Sequence, residues 1–331
     1  MQRIGIIGGG AWGTALALTA RRAGREVVLW AREEEVVAAI NRDHVNPLFL
    51  PGIALDPAIA ATRALDEALR GAEALLLVAP AQHLRALVAA LAPRVPAGLP
   101  LVICVKGIEE GSGALMTEVV ADALPDAPLA VLSGPTFAGE VARGLPTAVT
   151  LASADRALGE RLIAALGTRS FRPYLADDLI GVQIGGAVKN VLAIACGIVM
   201  GRGLGDNARA ALITRGLAEM VRLARAKGGR SETLMGLSGL GDLVLTCTGP
   251  QSRNQSLGVA LGEGRGLAEI LAGRRSVAEG VSSAAAAAAL AARLGVDMPI
   301  TAAVDAILHR GAAIDAVIAG LLARPFTSEI R

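Results

Sequence analysis

The sequence is poor in aromatic residues and its charges nearly balance. Phe, Trp and Tyr make up 2% of the 331 residues, and the formal net charge is +2. Because a nucleic-acid surface needs a basic stripe or stacking rings, this composition argues against nucleic acid as a partner. No run of about 18 uncharged apolar residues occurs, and the N-terminus leads directly into a strand-like pattern. We therefore expect a cytoplasmic protein without a signal peptide or an integral membrane segment.

Cysteine is also scarce. Cys104, Cys196 and Cys247 are widely spaced and form no C-x-x-C pair, so the sequence predicts neither a disulfide framework nor a metal site. Each cysteine is expected to be a small core residue. The three histidines do not indicate an active site based on histidine.

Lysine is the third shortage, since three of the 32 basic residues are lysine and the remaining 29 are arginine. Lysine can lose its proton near neutral pH and arginine cannot, so the retained lysines are candidates for chemistry. Lys227 is an exception, because its surroundings are typical of a charged helix C-terminus. Lys106 and Lys189 remain as candidates.

The N-terminus contains a glycine motif in a structural context. Arg3–Ile7 has the pattern of a buried strand and leads into G-x-G-x-x-G, formed by Gly8, Gly10 and Gly13, after which a helical pattern follows. Gly8 allows the turn, Gly10 lets the backbone approach a pyrophosphate, and Gly13 lets the helix pack on its strand. The motif predicts a dinucleotide site, in which Trp12 either contacts the cofactor or packs in the interior.

The second predicted strand, Glu26–Trp30, ends close to Arg32. A site selective for NAD usually has Asp or Glu here to hold the ribose 2′-hydroxyl, whereas arginine suits the 2′-phosphate of NADP. Arg32 therefore favours NADP. The adjacent Glu33 leaves NAD open, although acidic residues also suit the first turn of a helix.

Strand and helix patterns continue to alternate along the first half of the chain. Four further strands are predicted, at residues 74–78, 100–105, 129–132 and 148–152. This order predicts an α/β Rossmann-type, doubly wound sheet in residues 1–176. Lys106 follows one of these strands, at the edge where open sheets bind ligands, or is an ordinary exposed loop residue. Residues 177–331 have helical patterns and glycine-rich turns, which predict an all-α C-terminal domain.

Lys189 lies in the apolar run Ile184–Ile194, which has the pattern of a buried helix. Burial of an amine lowers its pKa from about 10.4, which makes Lys189 a candidate for proton transfer. Two alternatives stay open: the side chain reaches the surface, or it pairs with a carboxylate.

Polar residues are concentrated in residues 239–254 and 276–280. Ser252, Arg253 and Asn254 precede a helical run, and donors at a helix N-terminus can form an anion site. Alternatively, Ser252 or Asn254 only caps the helix and Arg253 faces solvent.

Together these stretches resemble NAD(P)-dependent glycerol-3-phosphate dehydrogenase of the bacterial soluble form, essentially from end to end. The motifs that carry the resemblance are the glycine turn, Leu48–Gly52, Cys104–Gly107, Leu132–Ala138, Ala187–Asn190, Gly205–Ala210 and Gly239–Leu243. The resemblance implies a Rossmann domain, a helical domain and a site between them. It also implies reversible hydride transfer between NAD(P)H and dihydroxyacetone phosphate, giving sn-glycerol 3-phosphate for glycerophospholipid synthesis.

Residue roles follow from the same resemblance. It implies that Lys189 is the general acid/base and that Lys106 is a second lysine near the reacting oxygen. The implied substrate contacts are Lys106, Gly134, Thr136, Lys189, Asp242, Ser252, Arg253 and Asn254. The implied cofactor positions, beside the glycines of the turn, are Ala11, Trp12, Arg32, Lys106, Ala138, Arg253, Val277 and Glu279. Ala11 departs from the serine often found in the turn, which removes a hydroxyl but leaves the backbone donors.

Two other interpretations compete with this one. A ketopantoate or β-hydroxyacid reductase of the same architecture would bind a carboxylate in place of a phosphate. A non-catalytic module that senses NADP would leave Lys106, Lys189 and the anion cluster unexplained. The expected partner is a small phosphorylated substrate, and the apolar helical domain is compatible with a homodimer.

Overall fold

The computed structural model describes residues 1–273, 278–326 and 328. The strands of the described chain are β1 Arg3–Ile7, β2 Glu26–Trp30, β3 Val45–Asn46, β4 Leu50–Ala54, β5 Ile59–Thr62, β6 Ala74–Leu77, β7 Leu101–Ile103, β8 Leu129–Ser133, β9 Thr147–Ala152 and β10 Phe171–Ala176. The helices are α1 Ala11–Arg22, α2 Glu34–Asp43, α3 Leu65–Leu69, α4 Leu84–Leu91, α5 Met116–Ala123, α6 Ala138–Ala142, α7 Arg156–Leu166, α8 Leu179–Gly201, α9 Gly205–Ala226, α10 Ser231–Leu234, α11 Asp242–Thr248, α12 Arg253–Gly262, α13 Leu267–Ala272, α14 Glu279–Arg293, α15 Pro299–His309 and α16 Ile314–Leu322.

Eight strands form one sheet, in the order β10-β9-β8-β7-β6-β1-β2-β5. The six strands from β8 to β5 in this order are parallel to one another, but β9 runs antiparallel to β8. β10 in turn is parallel to β9. The predicted parallel sheet is therefore mixed at one side. The short helix α6 is enough to join β8 to β9, because an antiparallel neighbour needs no long crossover connection.

Both faces of the sheet are covered, which confirms the doubly wound α/β prediction. Because side chains alternate along a strand, Ile4 and Ile6 of β1 lie in one hydrophobic core and Ile7 lies in another. The first core also contains buried residues of α1, α2, α6 and α7, and the second contains those of α3, α4 and α5. In open sheets of this kind, ligands bind at the carboxyl ends of the parallel strands.

The glycine turn joins β1 to α1, and at Gly8 and Gly13 a larger residue would not fit. Gly8 has a φ of +132°, in the region that favours glycine. A Cβ at Gly13 would lie 1.8 Å from the carbonyl oxygen of Gly8, which is the close helix–strand packing predicted for that position.

Helix α8 is the centre of the helical half. It packs against α9, α11, α12 and α14, and these helices share one hydrophobic core. Within the described residues it is the one helix long and apolar enough to cross a membrane, but 89% of its most apolar window is buried inside the fold. It is therefore the core helix of this half. All three cysteines are buried, as predicted.

Candidate active site

Helix α8 places Lys189 where the helical half meets the sheet. The Lys189 side chain is buried, and the whole residue is 5% exposed. Its amino group donates hydrogen bonds to Asp242 Oδ1 at 2.5 Å and to Thr246 Oγ1 at 3.0 Å. The predicted burial of Lys189 is confirmed. Of the two alternatives, pairing with a carboxylate occurs, and it occurs together with burial.

Burial and neighbouring charges act in opposite directions on the Lys189 amine. Loss of hydration lowers its pKa to about 8, and Lys106 acts in the same direction, whereas Asp242 raises it. The predicted direction of the pKa shift is thus confirmed. A group with this pKa exchanges its proton close to neutral pH, which is the property that a general acid/base needs.

Asp242 is shared by two lysines. It is fully buried and begins α11, directly after a turn of π-helix at Leu237–Gly241. Such π-helical turns are rare and often occur at functional sites. One carboxylate oxygen accepts from Lys189, and the other accepts from Lys106 Nζ at 2.8 Å. Two ammonium groups against one carboxylate leave a net positive charge at this point.

Lys106 reaches the same carboxylate from the sheet, in the segment after β7. Its amino group also donates to the carbonyl oxygen of Gly134 at 2.9 Å and to Thr136 Oγ1 at 3.3 Å. Gly134 has a φ of +144°, and a Cβ there would lie 2.9 Å from the backbone of Val149, so the position requires glycine. One hydrogen-bonded group therefore contains Lys106, Gly134, Thr136, Lys189 and Asp242.

A second polar group adjoins the first along α8. Asn254 is buried, and its Nδ2 donates to Asn190 Oδ1 at 2.9 Å. Its Oδ1 accepts from the Gly280 N–H at 3.1 Å, at the start of α14. Because Asn190 directly follows Lys189, these bonds connect the predicted anion site with the lysine pair.

Ser252 caps α12, since its Oγ accepts from the Gln255 N–H at 3.1 Å. Arg253 is the first residue of that helix, and its side chain reaches solvent. Partial loss of hydration lowers the pKa of the Arg253 guanidinium, and the charge of Glu279 opposes this. The capping alternative therefore holds for Ser252, whereas the amide of Asn254 bonds to α8 and α14.

Glu279 of α14 also joins the two halves of the chain. Its Oε1 accepts from the backbone N–H of Ala81, which follows β6, at 3.4 Å. Burial raises the pKa of Glu279, while the Ala81 hydrogen bond and Arg253 lower it. The predicted cofactor position Glu279 thus lies beside the carboxyl edge of the sheet.

The glycine turn leaves space suited to a dinucleotide. A Cβ built at Gly10 meets no atom of the described residues within 4 Å. Ala11 and Trp12 begin α1, so the N–H groups of its first turn and its positive dipole end would face a ligand bound at the glycine turn. The Trp12 indole N–H is buried, and no described residue accepts a hydrogen bond from it. These features fit a pyrophosphate and its flanking groups.

The remaining cofactor positions are spread around the sheet edge. Arg32 follows β2 and its side chain is 79% exposed, with an ion pair to Glu33 at 3.0 Å. Ala138 begins α6, which packs against α1. Val277 lies outside the described residues.

Sequence reasoning missed Thr246 and the role of Gly186. Thr246 lies four residues after Asp242 on α11, a spacing that places both on one helix face. A Cβ at Gly186 would lie 2.8 Å from Ser133 Oγ and 3.4 Å from Lys106 Cγ, so the glycine lets the sheet approach α8. The available signal was a pair of glycines inside an apolar helix, where glycine otherwise costs helix stability.

Two family models cover most of the chain. Residues 3–159 match the N-terminal model of NAD-dependent glycerol-3-phosphate dehydrogenase, and residues 178–319 match the C-terminal model. The chain belongs to the NAD-dependent glycerol-3-phosphate dehydrogenase family. This is a family of oxidoreductases, and membership confirms the resemblance inferred from the motifs.

Individual glycerol-3-phosphate dehydrogenases are similar over the full length. The NAD(P)+ enzyme of Rhodospirillum rubrum is 64% identical over 99% of this chain and 94% of the relative. The crystal structure of the Coxiella burnetii dehydrogenase has 44% identity and a TM-score of 0.94, covering 98% of this chain and 99% of that one. A ketopantoate reductase from Ralstonia eutropha has 17% identity and a TM-score of 0.63, over 96% of this chain and 100% of the other, and shows a shared fold alone.

Proposed function

We propose that the protein reversibly reduces dihydroxyacetone phosphate to sn-glycerol 3-phosphate, with NADP favoured over NAD. The observation that carries this proposal is the pair of lysines bound to Asp242, in which the buried Lys189 has a pKa of about 8. Such a group combines a proton donor with a positive field, and reduction of a ketone needs both.

The protein's own residues act on the substrate oxygen. The Lys189 ammonium group donates a proton to the ketone oxygen as that oxygen gains negative charge, and the neutral amine takes it back in the reverse direction. Lys106 stabilises the developing charge and, as a like charge, keeps the pKa of Lys189 low. Asp242 holds both ammonium groups in place. The bound nicotinamide, when present, supplies the hydrogen and two electrons that the ketone carbon takes up.

The substrate phosphate is assigned to the start of α12. Arg253 offers a fork of N–H donors at the first position of the helix, and Asn254 lies beside it. The hydroxyl groups of Ser252 and Thr136 and the backbone of Gly134 are further contacts assigned to the substrate. Binding energy from the phosphate, which does not react, orients the ketone next to Lys189.

The dinucleotide is assigned to the glycine turn and the sheet edge. The residues that would hold it are Gly8, Gly10, Ala11, Trp12, Gly13, Arg32, Lys106, Ala138, Arg253, Val277 and Glu279. Arg32 is exposed at the end of β2, which supports a role in reading the 2′-phosphate. Glu33 pairs with Arg32 and could itself accept a hydrogen bond from the ribose 2′-hydroxyl of NAD, so NAD remains a second possible cofactor.

We also propose the domain boundaries, the cellular location and the oligomeric state of the enzyme. The two domains are assigned as residues 1–176 and 177–331, because β10 ends at Ala176 and α8 begins at Leu179. Activity in the cytoplasm, supply of glycerol 3-phosphate for phospholipid synthesis, and a homodimer complete the proposal. Sedimentation of the purified protein tests the last of these.

The proposed activity is tested by following the absorbance of reduced nicotinamide with dihydroxyacetone phosphate and either NADPH or NADH. We expect oxidation with both, and faster oxidation with NADPH at limiting concentrations. Ketopantoate and a β-keto acid serve as carboxylate controls and should give no turnover. Turnover with these alone would overturn the proposal in favour of a carboxylate reductase.

A further inference from the structure

Asn46 connects the short hairpin β3–β4 to the glycine turn. It is fully buried, and its Nδ2 donates to the carbonyl oxygen of Gly9 and to Thr14 Oγ1, both at 2.8 Å. Its Oδ1 accepts from the Phe49 N–H at 3.2 Å. Both amide hydrogens of the side chain are therefore engaged by the segment that would hold the dinucleotide.

The bond to Gly9 fixes the direction of one peptide group. All peptide bonds of the described chain are trans, and in a trans peptide the C=O and the following N–H point in opposite directions. Because the Gly9 carbonyl is held toward Asn46, the N–H of Gly10 points away from Asn46. A flip of this peptide would turn the Gly9 carbonyl oxygen away from Asn46, to the side where the Gly10 N–H now points. An oxygen on that side would repel a phosphate.

A flip at this point is otherwise easy, because glycine has few steric restrictions and the peptide joins two glycines. Thr14 adds to the restraint: its Oγ1 accepts from Asn46 and donates to the carbonyl oxygen of Gly10 at 2.9 Å. The hairpin itself is anchored, since Leu50 is buried in the first core of the sheet. Asn46 therefore links an anchored hairpin to a glycine-rich turn.

We propose that Asn46 is a positioning residue for dinucleotide binding, which holds the Gly9–Gly10 peptide with its N–H directed to the pyrophosphate. The inference rests on the proposed function, because it takes the glycine turn as the cofactor site. It also gives a reason for the Leu48–Gly52 motif, which the catalytic residues do not explain. The hairpin supplies the support for the turn.

The test is equilibrium binding of three probes, NADPH, ADP-ribose and adenosine 2′-monophosphate, of which the last lacks the pyrophosphate. The variants are Asn46→Ala and Asn46→Asp. The aspartate keeps the shape and the acceptor for the Phe49 N–H but loses the donor to Gly9. Asn41→Ala is the matched control, because Asn41 also bonds to backbone, at Ala61, but not to the turn. Thermal unfolding of each variant is measured beside the binding.

We expect both Asn46 variants to raise the Kd of NADPH and ADP-ribose about tenfold, as loss of one well-directed hydrogen bond to a charged group would. Binding of adenosine 2′-monophosphate should be unchanged, and Asn41→Ala should bind all three probes like the unaltered protein. Unchanged ADP-ribose binding in the Asn46→Asp variant would overturn the inference. Equal loss for adenosine 2′-monophosphate would also overturn it, because the effect would then be general.

Failure of the proposed function gives a different result. If the unaltered protein binds ADP-ribose with the expected Asn46 dependence but does not oxidise NADPH with dihydroxyacetone phosphate, the positioning role stands and the proposed reaction falls. If turnover is normal and the Asn46 variants bind like the unaltered protein, the proposed reaction stands and the positioning role falls.

Discussion

The amino group of Lys189 and the carboxylate of Asp242, 53 residues apart in the chain, lie 2.5 Å apart in the fold. Because Asp242 also binds Lys106, its single negative charge does not fully compensate the two amines. Lys189 is thus buried, hydrogen-bonded and still able to lose its proton at moderate pH. A pair of one lysine and one aspartate would hold its proton more firmly.

Replacement of Lys189 by methionine should remove turnover and leave the cofactor site intact. General acid/base catalysis contributes about a hundredfold to ten-thousandfold, so we expect kcat to fall by about a thousandfold. The Kd of NADPH should stay the same. Lys227→Met is the control, because the described ion pair of Lys227 is with Glu118 and not with Asp242. Turnover within tenfold of the unaltered enzyme would remove Lys189 from its role.

The pH dependence should differ in sign for the two directions of the reaction. The pKa of Lys189 is lowered to about 8, so the ammonium form that donates a proton is lost as the pH rises through that value. The kcat/KM for ketone reduction should therefore fall above pH 8, and that for alcohol oxidation should rise through the same range. Steady-state rates from about pH 6 to about pH 10 measure both. Parallel profiles in the two directions would contradict the assignment.

Arg253→Ala should weaken substrate binding more than cofactor binding. A lost charge-assisted hydrogen bond costs about 1.5 to 3 kcal/mol, so the KM for dihydroxyacetone phosphate should rise about tenfold to a hundredfold. Inhibition by inorganic phosphate should weaken in parallel. Arg265→Ala, which removes an exposed arginine beyond the far end of α12, should change neither value. An unchanged KM in the Arg253 variant would exclude this residue as the phosphate anchor.

Arg32→Ala should change the choice between cofactors. We expect the Kd of NADPH to rise about tenfold and that of NADH to change little, since only NADPH carries a 2′-phosphate. Arg42→Ala is a matched control, because Arg42 is also exposed and also pairs with the next residue, Asp43. Equal losses for NADPH and NADH would show that Arg32 does not distinguish the two cofactors.

Gly186→Ala tests the approach of the sheet to α8. The added methyl group would lie 2.8 Å from Ser133 Oγ, so Ser133 must shift, and it would also lie 3.4 Å from Lys106 Cγ. We expect kcat to fall about tenfold or more, and the free energy of unfolding to fall by about 1 to 3 kcal/mol. Gly320→Ala on α16 is the control, since a Cβ there meets no described atom within 4 Å. An unchanged kcat would show that Lys106 tolerates displacement.

Local patterns predicted the parts of the fold that depend on neighbouring residues. The glycine turn, the burial of Lys189 and the change from alternating to helical patterns are of this kind. β10 was not predicted, and Pro173 in its middle is unfavourable in an interior strand. The sheet accepts this proline because, within the described residues, β10 is an edge strand whose one partner is β9.

Contacts between distant segments were beyond a single sequence. Asp242 was named as a substrate contact through the resemblance, but its bonds to Lys106 and Lys189 depend on how α8, α11 and the segment after β7 pack together. The same holds for Asn46, whose partners in the glycine turn lie more than 30 residues away. A polar residue in a short hairpin carries no sign of such partners.

Helix α8 belongs to two hydrophobic cores at once. Val182, in its first turn, lies in the second core of the sheet, whereas Ile184 and the residues that follow lie in the core of the helical half. A chain that ended at Ala176 would lose part of the cover of the sheet, and the helical half without the sheet would expose the first turn of its central helix. The two halves therefore share part of their cores through α8, and we expect separation of the cofactor half from the substrate half to lower the stability of both.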